Sequence, residues 1–284
     1  MTATTVCLVT DGPAQTYFAN RLHQEVGIDL LVLVETVGFV RRGRGLVRSI
    51  GPPALADVLF DRLGKLQRAA QRRRELERWF GDAWQRLADD IPVRRTITAA
   101  DPALVEEVLA LPNPHLAVHA SALVPMNLVG ACTTALNLHW GLSPYYRGTH
   151  CTDWALLHWD TRNIGVTVHE LTETIDGGRI VGQRRATLSS GDTAHSIDSQ
   201  LTVLGTELMI EALRILRSGR SLVTHPQDFG MGHITYKRQW SRHLRRQVAR
   251  LERRGLDAAI ERPTRESLSI IDGPLGEHAE TAGS

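Results

Sequence analysis

Asn137 and His139 stand one residue apart in the most polar part of an otherwise apolar stretch of the sequence. Residues i and i+2 of a β-strand point to the same face, so these two side chains would lie side by side. Gly141 and Pro144 follow and turn the chain away, which places the pair at a strand end, where open α/β sheets bind ligands. An asparagine amide can donate to a developing oxyanion, and a histidine can give or take a proton near neutral pH. The pattern therefore predicts chemistry at an acyl group.

A second polar segment contains Asp176 followed by two glycines, Gly177 and Gly178. Glycine permits backbone conformations that other residues resist, so we expect a sharp loop there. A carboxylate in that loop could orient His139 and raise its pKa, as an opposite charge does. Both patterns are common in proteins, and a hydrogen-bonded structural role for each side chain is the alternative interpretation.

Apolar strands that alternate with helices are predicted to carry these residues. Short apolar runs predict buried strands at residues 6–9, 29–34, 116–120, 136–139 and 165–169. Helices are predicted at residues 14–25, 101–111, 152–159 and 192–217, with Asp192 as the cap of the last. This order predicts an α/β fold with a mostly parallel central sheet flanked by helices.

Two segments are rich in arginine. Residues 41–95 hold fourteen Lys or Arg against seven Asp or Glu, and residues 237–254 hold eight against one. Apolar positions at helical spacing predict one or two amphipathic helices inserted at about 40–90, with the arginines on the solvated face. A basic surface for RNA or another polyanion is the alternative. The apolar side of residues 55–87 could also pair with a second copy, which makes a homodimer possible.

The composition excludes several classes of protein. The 284 residues are 42% hydrophobic and 23% charged with a formal net charge of +2, which argues against a disordered, collagenous or membrane-spanning chain. Three dispersed cysteines predict no disulfide framework and fit a reducing cytoplasm. The N-terminal residues do not resemble a signal peptide. The sequence has twelve histidines, but the pairs His115/His119 and His225/His233 lack carboxylate or cysteine partners at ligand spacing, so no metal site is predicted.

The stretch ALNLHWGLSPYYRGTHCTDWAL, followed by IGVTVHELTETIDGGRI, resembles the folate-dependent formyltransferase family, in particular the catalytic domain of its methionyl-tRNA branch. That branch carries N-x-H, then a P-x-x-R-G element, then G-V-T and a loop that ends in D-x-G. Asn137, His139 and Asp176 match the family's catalytic residues. The other matching positions are Pro144, Arg147, Gly148 and Gly178. The resemblance is clearest over residues 116–180 and extends over 6–217.

The resemblance implies a Rossmann-like catalytic domain over residues 1–218, with the helical insertion, and a partly helical C-terminal extension over 219–284 in place of the branch's β-barrel domain. It also implies that two segments contact the folate, through Ala122, Leu123, Val124, Glu173, Thr174 and Ile175. The sequence departs from the family at two points. Gly141 stands where the family has a serine, with Ser143 two positions later, and residues 119–125 lack the family's glycine.

The activity implied by the resemblance is transfer of a formyl group from 10-formyltetrahydrofolate to a primary amine. The acceptor would be a small molecule, either an amino-sugar nucleotide or an amino acid or other specialised metabolite. Asn137 and a protonated His139 would donate hydrogen bonds to the oxyanion, and Asp176 would keep His139 charged. No metal, membrane or nucleic-acid partner is expected. A hydrolase that releases formate from the same folate and a tRNA-acting formyltransferase are the alternatives.

Overall fold

A computed structural model describes residues 3–35, 69–119 and 123–273 of the chain. Its strands are β1 (Thr4–Thr10), β2 (Leu30–Val34), β3 (Val93–Thr96), β4 (Pro114–His119), β5 (Thr134–His139), β6 (Tyr146–Gly148), β7 (Gly165–Glu170), β8 (Ile180–Arg185) and β9 (His233–Thr235). Within these residues one seven-stranded sheet has the order β3-β2-β1-β4-β5-β7-β8, and β6 pairs with β9. The first five strands are parallel, whereas β7 is antiparallel to both β5 and β8. This is the mostly parallel, Rossmann-like sheet that was predicted.

Helices flank this sheet. They are α1 (Pro13–Val26), α2 (residues 69–80), α3 (Pro102–Leu109), α4 (Met126–Gly130), α5 (Cys151–Leu157), α6 (Ala194–Arg217), α7 (Arg242–Arg254) and α8 (Asp257–Glu261). Both α1 and α3 begin with a proline, which suits the first turn because no backbone N–H is needed there. Among the described helices, none is long and apolar enough to cross a membrane.

The central strands are buried on both faces, and their alternate residues enter two different apolar clusters. Cys7 and Val9 of β1 pack in the cluster that also contains α1 and α6, whereas Val6 and Leu8 pack in the cluster with α3 and α4. A Cβ at Gly205 of α6 would lie 2.7 Å from Val166 Cγ2, so α6 can approach the sheet closely only because this residue is glycine. Helix α6 therefore packs against Leu138 of β5 and Val166 of β7.

The predicted strands and helices are present, with ends that differ by a few residues. One detail is wrong: Thr193, not Asp192, caps α6, because the Thr193 hydroxyl accepts from the Ser196 N–H. Asp192 instead accepts a hydrogen bond from the Ser189 N–H at 2.7 Å. Strands β3, β6, β8 and β9 were not predicted.

The inserted segment can be compared with its prediction only from residue 69 onwards, since residues 36–68 lie outside the described residues. Leu76 and Phe80 of α2 are buried, and Phe80 stacks on Tyr17 of α1 at 4.4 Å between ring centroids. The amphipathic helix is therefore confirmed in this part. Its apolar side packs within the same chain, and residues 55–68 of the predicted pairing surface lie outside the described residues.

Candidate active site

Asn137 and His139 lie at the carboxyl end of β5, between β4 and β7. The neighbouring residues Leu136 and Leu138 point to the opposite face and are buried in the larger apolar cluster. Strand alternation therefore fixes the two polar side chains on one face. His139 is buried, with only 6% of the residue exposed.

Asp176 meets both of these side chains. Its Oδ2 lies 3.4 Å from His139 Nδ1, and its Oδ1 lies 3.5 Å from Asn137 Nδ2. The Gly148 backbone N–H donates to Oδ2 at 2.7 Å. The structure thus brings together the three residues that the sequence singled out, although they come from segments 39 residues apart at the widest.

The acid loop, residues 171–179, reaches this position through an unusual backbone conformation at Asp176 itself. Its φ is +45°, whereas neither Gly177 nor Gly178 has a positive φ in the structure. The two glycines are needed for space instead: a Cβ at Gly178 would lie 1.8 Å from the Glu170 carbonyl oxygen. The expectation that the glycines supply the unusual backbone angles is therefore wrong.

A fourth side chain, His169, belongs to the same cluster and was missed by the sequence analysis. Its Nδ1 lies 2.8 Å from the Glu170 carbonyl, so this nitrogen donates, and its Nε2 lies 3.3 Å from the Asn137 amide nitrogen. Nε2 is also 3.5 Å from Asp176 Oδ1. Alternation along β7 was the available signal, because it places His169 on the same face as Thr167.

Burial and charge oppose each other at His139. Burial lowers its pKa, the Asp176 carboxylate raises it, and the net direction is downwards. Asp176 does raise the pKa as expected, but the expectation that it keeps His139 charged is wrong, because desolvation outweighs it. His139 Nε2 lies 3.0 Å from the Tyr146 carbonyl oxygen and donates to it, which leaves Nδ1 as the nitrogen that exchanges its proton beside Asp176.

Asp176 is held as a carboxylate. Burial alone would raise its pKa, but the imidazoles of His139 and His169 and the N–H of Gly148 outweigh burial and keep the pKa well below its usual range. The acid therefore carries its negative charge throughout the neutral pH range.

A buried hydrogen-bond network fixes residues 141–145, which we call the proline loop. The Thr167 hydroxyl donates to the Gly141 carbonyl at 2.6 Å and accepts from the Ser143 N–H at 3.0 Å. The side chain of Gln183 donates to the Ser143 carbonyl at 2.7 Å. A Cβ at Gly141 would lie 2.4 Å from His139 Nε2, so a serine at this position would require the imidazole to move. The Ser143 hydroxyl instead reaches the Asp176 carbonyl at 3.4 Å.

The segments predicted to contact folate are exposed at several positions. Leu123 is 85% exposed, and Glu173, Thr174 and Ile175 are exposed in the acid loop. Ala122 lies outside the described residues. Val124 and Leu171 pack against the same apolar cluster, so the two segments start on the same side of the sheet.

Two cavities among the described residues lie away from the catalytic candidates. A cavity of about 470 Å³ lies at the carboxyl ends of β1 and β2, beside Asp11, Arg86 and Arg95. Another, of about 620 Å³, is an open cavity lined by residues of α2, α5, α6 and α7, together with Trp240. The described residues contain no group of three or more His, Cys, Asp or Glu side chains placed to hold a metal ion.

The three cysteines, Cys7, Cys132 and Cys151, are free thiols. Cys151 Sγ lies 3.7 Å from His139 Nε2, but burial raises the pKa of the Cys151 thiol far above its usual range. The thiol is therefore protonated and is not an activated nucleophile.

Known proteins resemble this chain in sequence and in fold. A family model described as "Formyl transferase" matches residues 72–213, half of the chain. A curated methionyl-tRNA formyltransferase of Anaeromyxobacter dehalogenans is 31% identical over 195 residues, which are 64% of this chain and 62% of the relative. The chain therefore spans less than two thirds of the length of that relative.

Solved structures share the fold. An N-formyltransferase from Helicobacter canadensis, solved in complex with folinic acid and dTDP-3-aminofucose, has a TM-score of 0.52 at 13% identity, over 84% of this chain and 72% of that one. A 4-N formyltransferase from Francisella tularensis has a TM-score of 0.52 at 14% identity, over 84% and 78%. The fold and site define a Rossmann-like protein with an Asn–His–Asp cluster at a strand end. The chain belongs to the formyl transferase family.

Proposed function

We propose that this chain transfers a formyl group from 10-formyltetrahydrofolate to a primary amine. The observation that carries the proposal is the meeting of Asn137, His139 and Asp176 at the carboxyl end of β5. Membership of the formyl transferase family supports the reaction class. The complex of the Helicobacter canadensis neighbour with folinic acid supports a folate donor.

Each side chain has a distinct part in this transfer. The amine nitrogen bonds to the formyl carbon, the bond from that carbon to N10 of the folate breaks, and a proton passes from the amine to N10. Asn137 donates to the oxygen that is negative in the tetrahedral intermediate. His139 is neutral because burial lowers its pKa, so it accepts the amine proton at Nδ1 through a water, and Asp176 stabilises the imidazolium.

The residues proposed to hold the folate offer suitable surfaces. Leu123 and Ile175 expose large apolar side chains, at 85% and 39%, next to the polar groups of Glu173 and Thr174. A flat pterin ring needs this combination of apolar cover and hydrogen-bonding groups. With Ala122 and Val124, they form our proposed donor site.

The acceptor is proposed to be a small-molecule amine, such as an amino-sugar nucleotide or amino acid. The dTDP-3-aminofucose in the complex of the Helicobacter canadensis neighbour supports this class. The runner-up is a tRNA acceptor, since the curated relative is a methionyl-tRNA formyltransferase and α7 exposes six arginines. Binding through such arginines would weaken steeply with salt.

The cytoplasm is the compartment that we propose.

The test combines the purified chain with 10-formyltetrahydrofolate and a library of amines that includes amino-sugar nucleotides, amino acids and methionyl-tRNA. Mass spectrometry should detect one acceptor that gains a formyl group. Formate release without any acceptor would support the hydrolase alternative. Formylation of methionyl-tRNA alone would exclude the small-molecule acceptor.

The Asn137→Ala and Asp176→Asn variants should each lower turnover at least ~100-fold, the scale of losing one oxyanion-stabilising group. Asp192→Asn is the matched control, because Asp192 is also buried but binds the Ser189 N–H and the Ser196 hydroxyl, away from the cluster. Folded variants of Asn137 and Asp176 that keep wild-type turnover would contradict the assignment of the site.

A further inference from the structure

The segment that follows α6 crosses both loops of the candidate active site. We call residues 225–235 the strap. At its start, the His225 backbone exchanges two hydrogen bonds with Ile180, at 2.7 and 2.8 Å, directly after the acid loop. Near its end, the His233 N–H donates to the Tyr145 carbonyl at 2.9 Å, and β9 pairs with β6. The strap is therefore anchored on both sides of the cluster.

Gln227 is the strap residue that binds the acid loop directly. Its side-chain Nε2 donates to the Asp176 carbonyl at 3.0 Å and to the Gly178 carbonyl at 2.6 Å. Its Oε1 is buried and has no hydrogen-bond partner among the described residues. The amide therefore serves the loop as a donor, and both of its N–H groups point to the backbone that carries the acid.

The backbone at Asp176 needs stabilising contacts from other segments, because a φ of +45° is unfavourable for a residue with a side chain. The only other side-chain donor to the Asp176 carbonyl among the described residues is the Ser143 hydroxyl, at the longer distance of 3.4 Å. Gln227 thus supplies the shorter of the two hydrogen bonds at the strained residue.

Phe229 adds an apolar contact from the same strap. A Cβ at Gly177 would lie 3.2 Å from the Phe229 ring, so the ring covers the acid loop. The Arg147 guanidinium lies 4.4 Å from the centre of that ring, and Arg147 directly precedes Gly148, whose N–H binds Asp176. The strap therefore contacts the acid loop and the segment that holds its carboxylate.

We propose that Gln227 is a positioning residue that holds the Asp176 carboxylate against His139, so that the catalytic unit extends through the strap to residue 235 instead of ending at 218. The effect on turnover rests on the proposed function, whereas the effect on the loop does not. Gln227 acts through the backbone of Asp176 and does not touch the reacting atoms.

The experiment uses the full chain with Gln227→Met, which keeps the length but removes both donors, and Gln227→Glu, which keeps the shape and faces the two carbonyls with oxygen. Gln239→Met is the matched control, because the Gln239 side chain binds the Tyr236 backbone N–H, in the same C-terminal region but away from the acid loop. Hydrogen–deuterium exchange is followed in peptides that contain Gly148 and residues 174–178, since the Gly148 amide is protected by the Asp176 carboxylate.

Both Gln227 variants should exchange faster at Gly148 and in the acid loop, with an unchanged pattern in β1 and β4. Turnover should fall ~10- to 100-fold, the scale for a displaced catalytic group, with little change in KM for the donor. The acid limb of the kcat profile should move to lower pH, because His139 loses the nearby charge that raises its pKa.

Wild-type exchange rates in both Gln227 variants would overturn the inference. An equally large increase in exchange in the Gln239→Met control would overturn it too. A Gln227→Glu variant with wild-type exchange and turnover would show that the side chain only fills space, which also overturns it. If the wild-type chain consumes no 10-formyltetrahydrofolate, the proposed function fails while the exchange result still decides the role of Gln227.

Discussion

Two buried histidines lie at the carboxyl ends of adjacent parallel strands, His119 on β4 and His139 on β5, and their surroundings differ. His119 is 5% exposed and packs edge-on against the rings of Phe18 and Trp140. His139 is equally buried but has Asp176 at 3.4 Å and the Tyr146 carbonyl at 3.0 Å. Similar burial therefore leaves one imidazole among aromatic rings and gives the other two polar partners.

The two environments have different electrostatic consequences. Burial lowers the pKa of His119 to about 4, although a backbone hydrogen bond at Leu138 opposes the change. At His139, burial also lowers the pKa, but a carboxylate in contact resists it. A proton taken up by His139 is stabilised by a neighbouring charge, whereas one on His119 is not. Burial prepares a histidine for proton transfer only when an acid from elsewhere in the chain reaches it.

The largest expected effect is a difference in turnover between variants of these two histidines. His139→Ala should lower formyl transfer ~1,000-fold, within the range for loss of a general acid–base group. His119→Leu should stay within ~3-fold of the wild type, because the His119 ring packs against Phe18 and Trp140 and its hydrogen bond is to the Leu138 backbone instead of to an acid. Steady-state turnover measured on both variants, with circular dichroism as the check on folding, gives the comparison. A comparable loss in folded His119→Leu would show that both strand ends take part in catalysis.

A smaller effect on turnover is expected where Gly178 of the acid loop passes close to the Glu170 backbone. Gly178→Ala should lower turnover ~10-fold or more, since a Cβ 1.8 Å from the Glu170 carbonyl forces the loop and its carboxylate to shift. Gly191→Ala is the matched control, because a Cβ there meets no atom within 4 Å. The ratio of kcat values for the two variants is the measurement, and equal values would show that the loop tolerates displacement.

The sequence predicts the strand that carries Asn137 and His139 because an alternation of period two is a local property. It does not predict that burial outweighs Asp176 at His139, since that balance depends on how the proline loop and α5 close over the ring. The residues alone suggested Asp176 as a partner of His139 but left a structural role open, and the resemblance to known formyltransferases favoured the catalytic role. Local pattern and family motif together therefore supply the three central residues.

His169 and Gln227 show why the rest was not predicted. Each becomes part of the site only when distant segments pair, β5 with β7 for His169 and the strap with the acid loop for Gln227. Alternation assigns His169 to one face of β7 but does not show which strand pairs with β7, and a glutamine in an irregular segment carries no signal for pairing. The strap itself is held largely by backbone hydrogen bonds, which any sequence without proline at the bonded positions can make.

The smallest expected effect is on stability and follows from the pKa of His119. Above pH 6.5 this histidine is neutral in both the folded and the unfolded chain. Between pH 6.5 and about 4 the unfolded chain binds a proton that the folded chain excludes. The free energy of unfolding therefore decreases as the pH is lowered, by up to about 3 kcal/mol.

His119→Leu removes this contribution. Urea unfolding near neutral pH and near ~4.5 should therefore show a smaller loss of stability in the variant, while His139 contributes in the same direction to both proteins. Identical losses would mean that His119 is protonated in the folded chain, and the contrast between the two strand ends would then disappear.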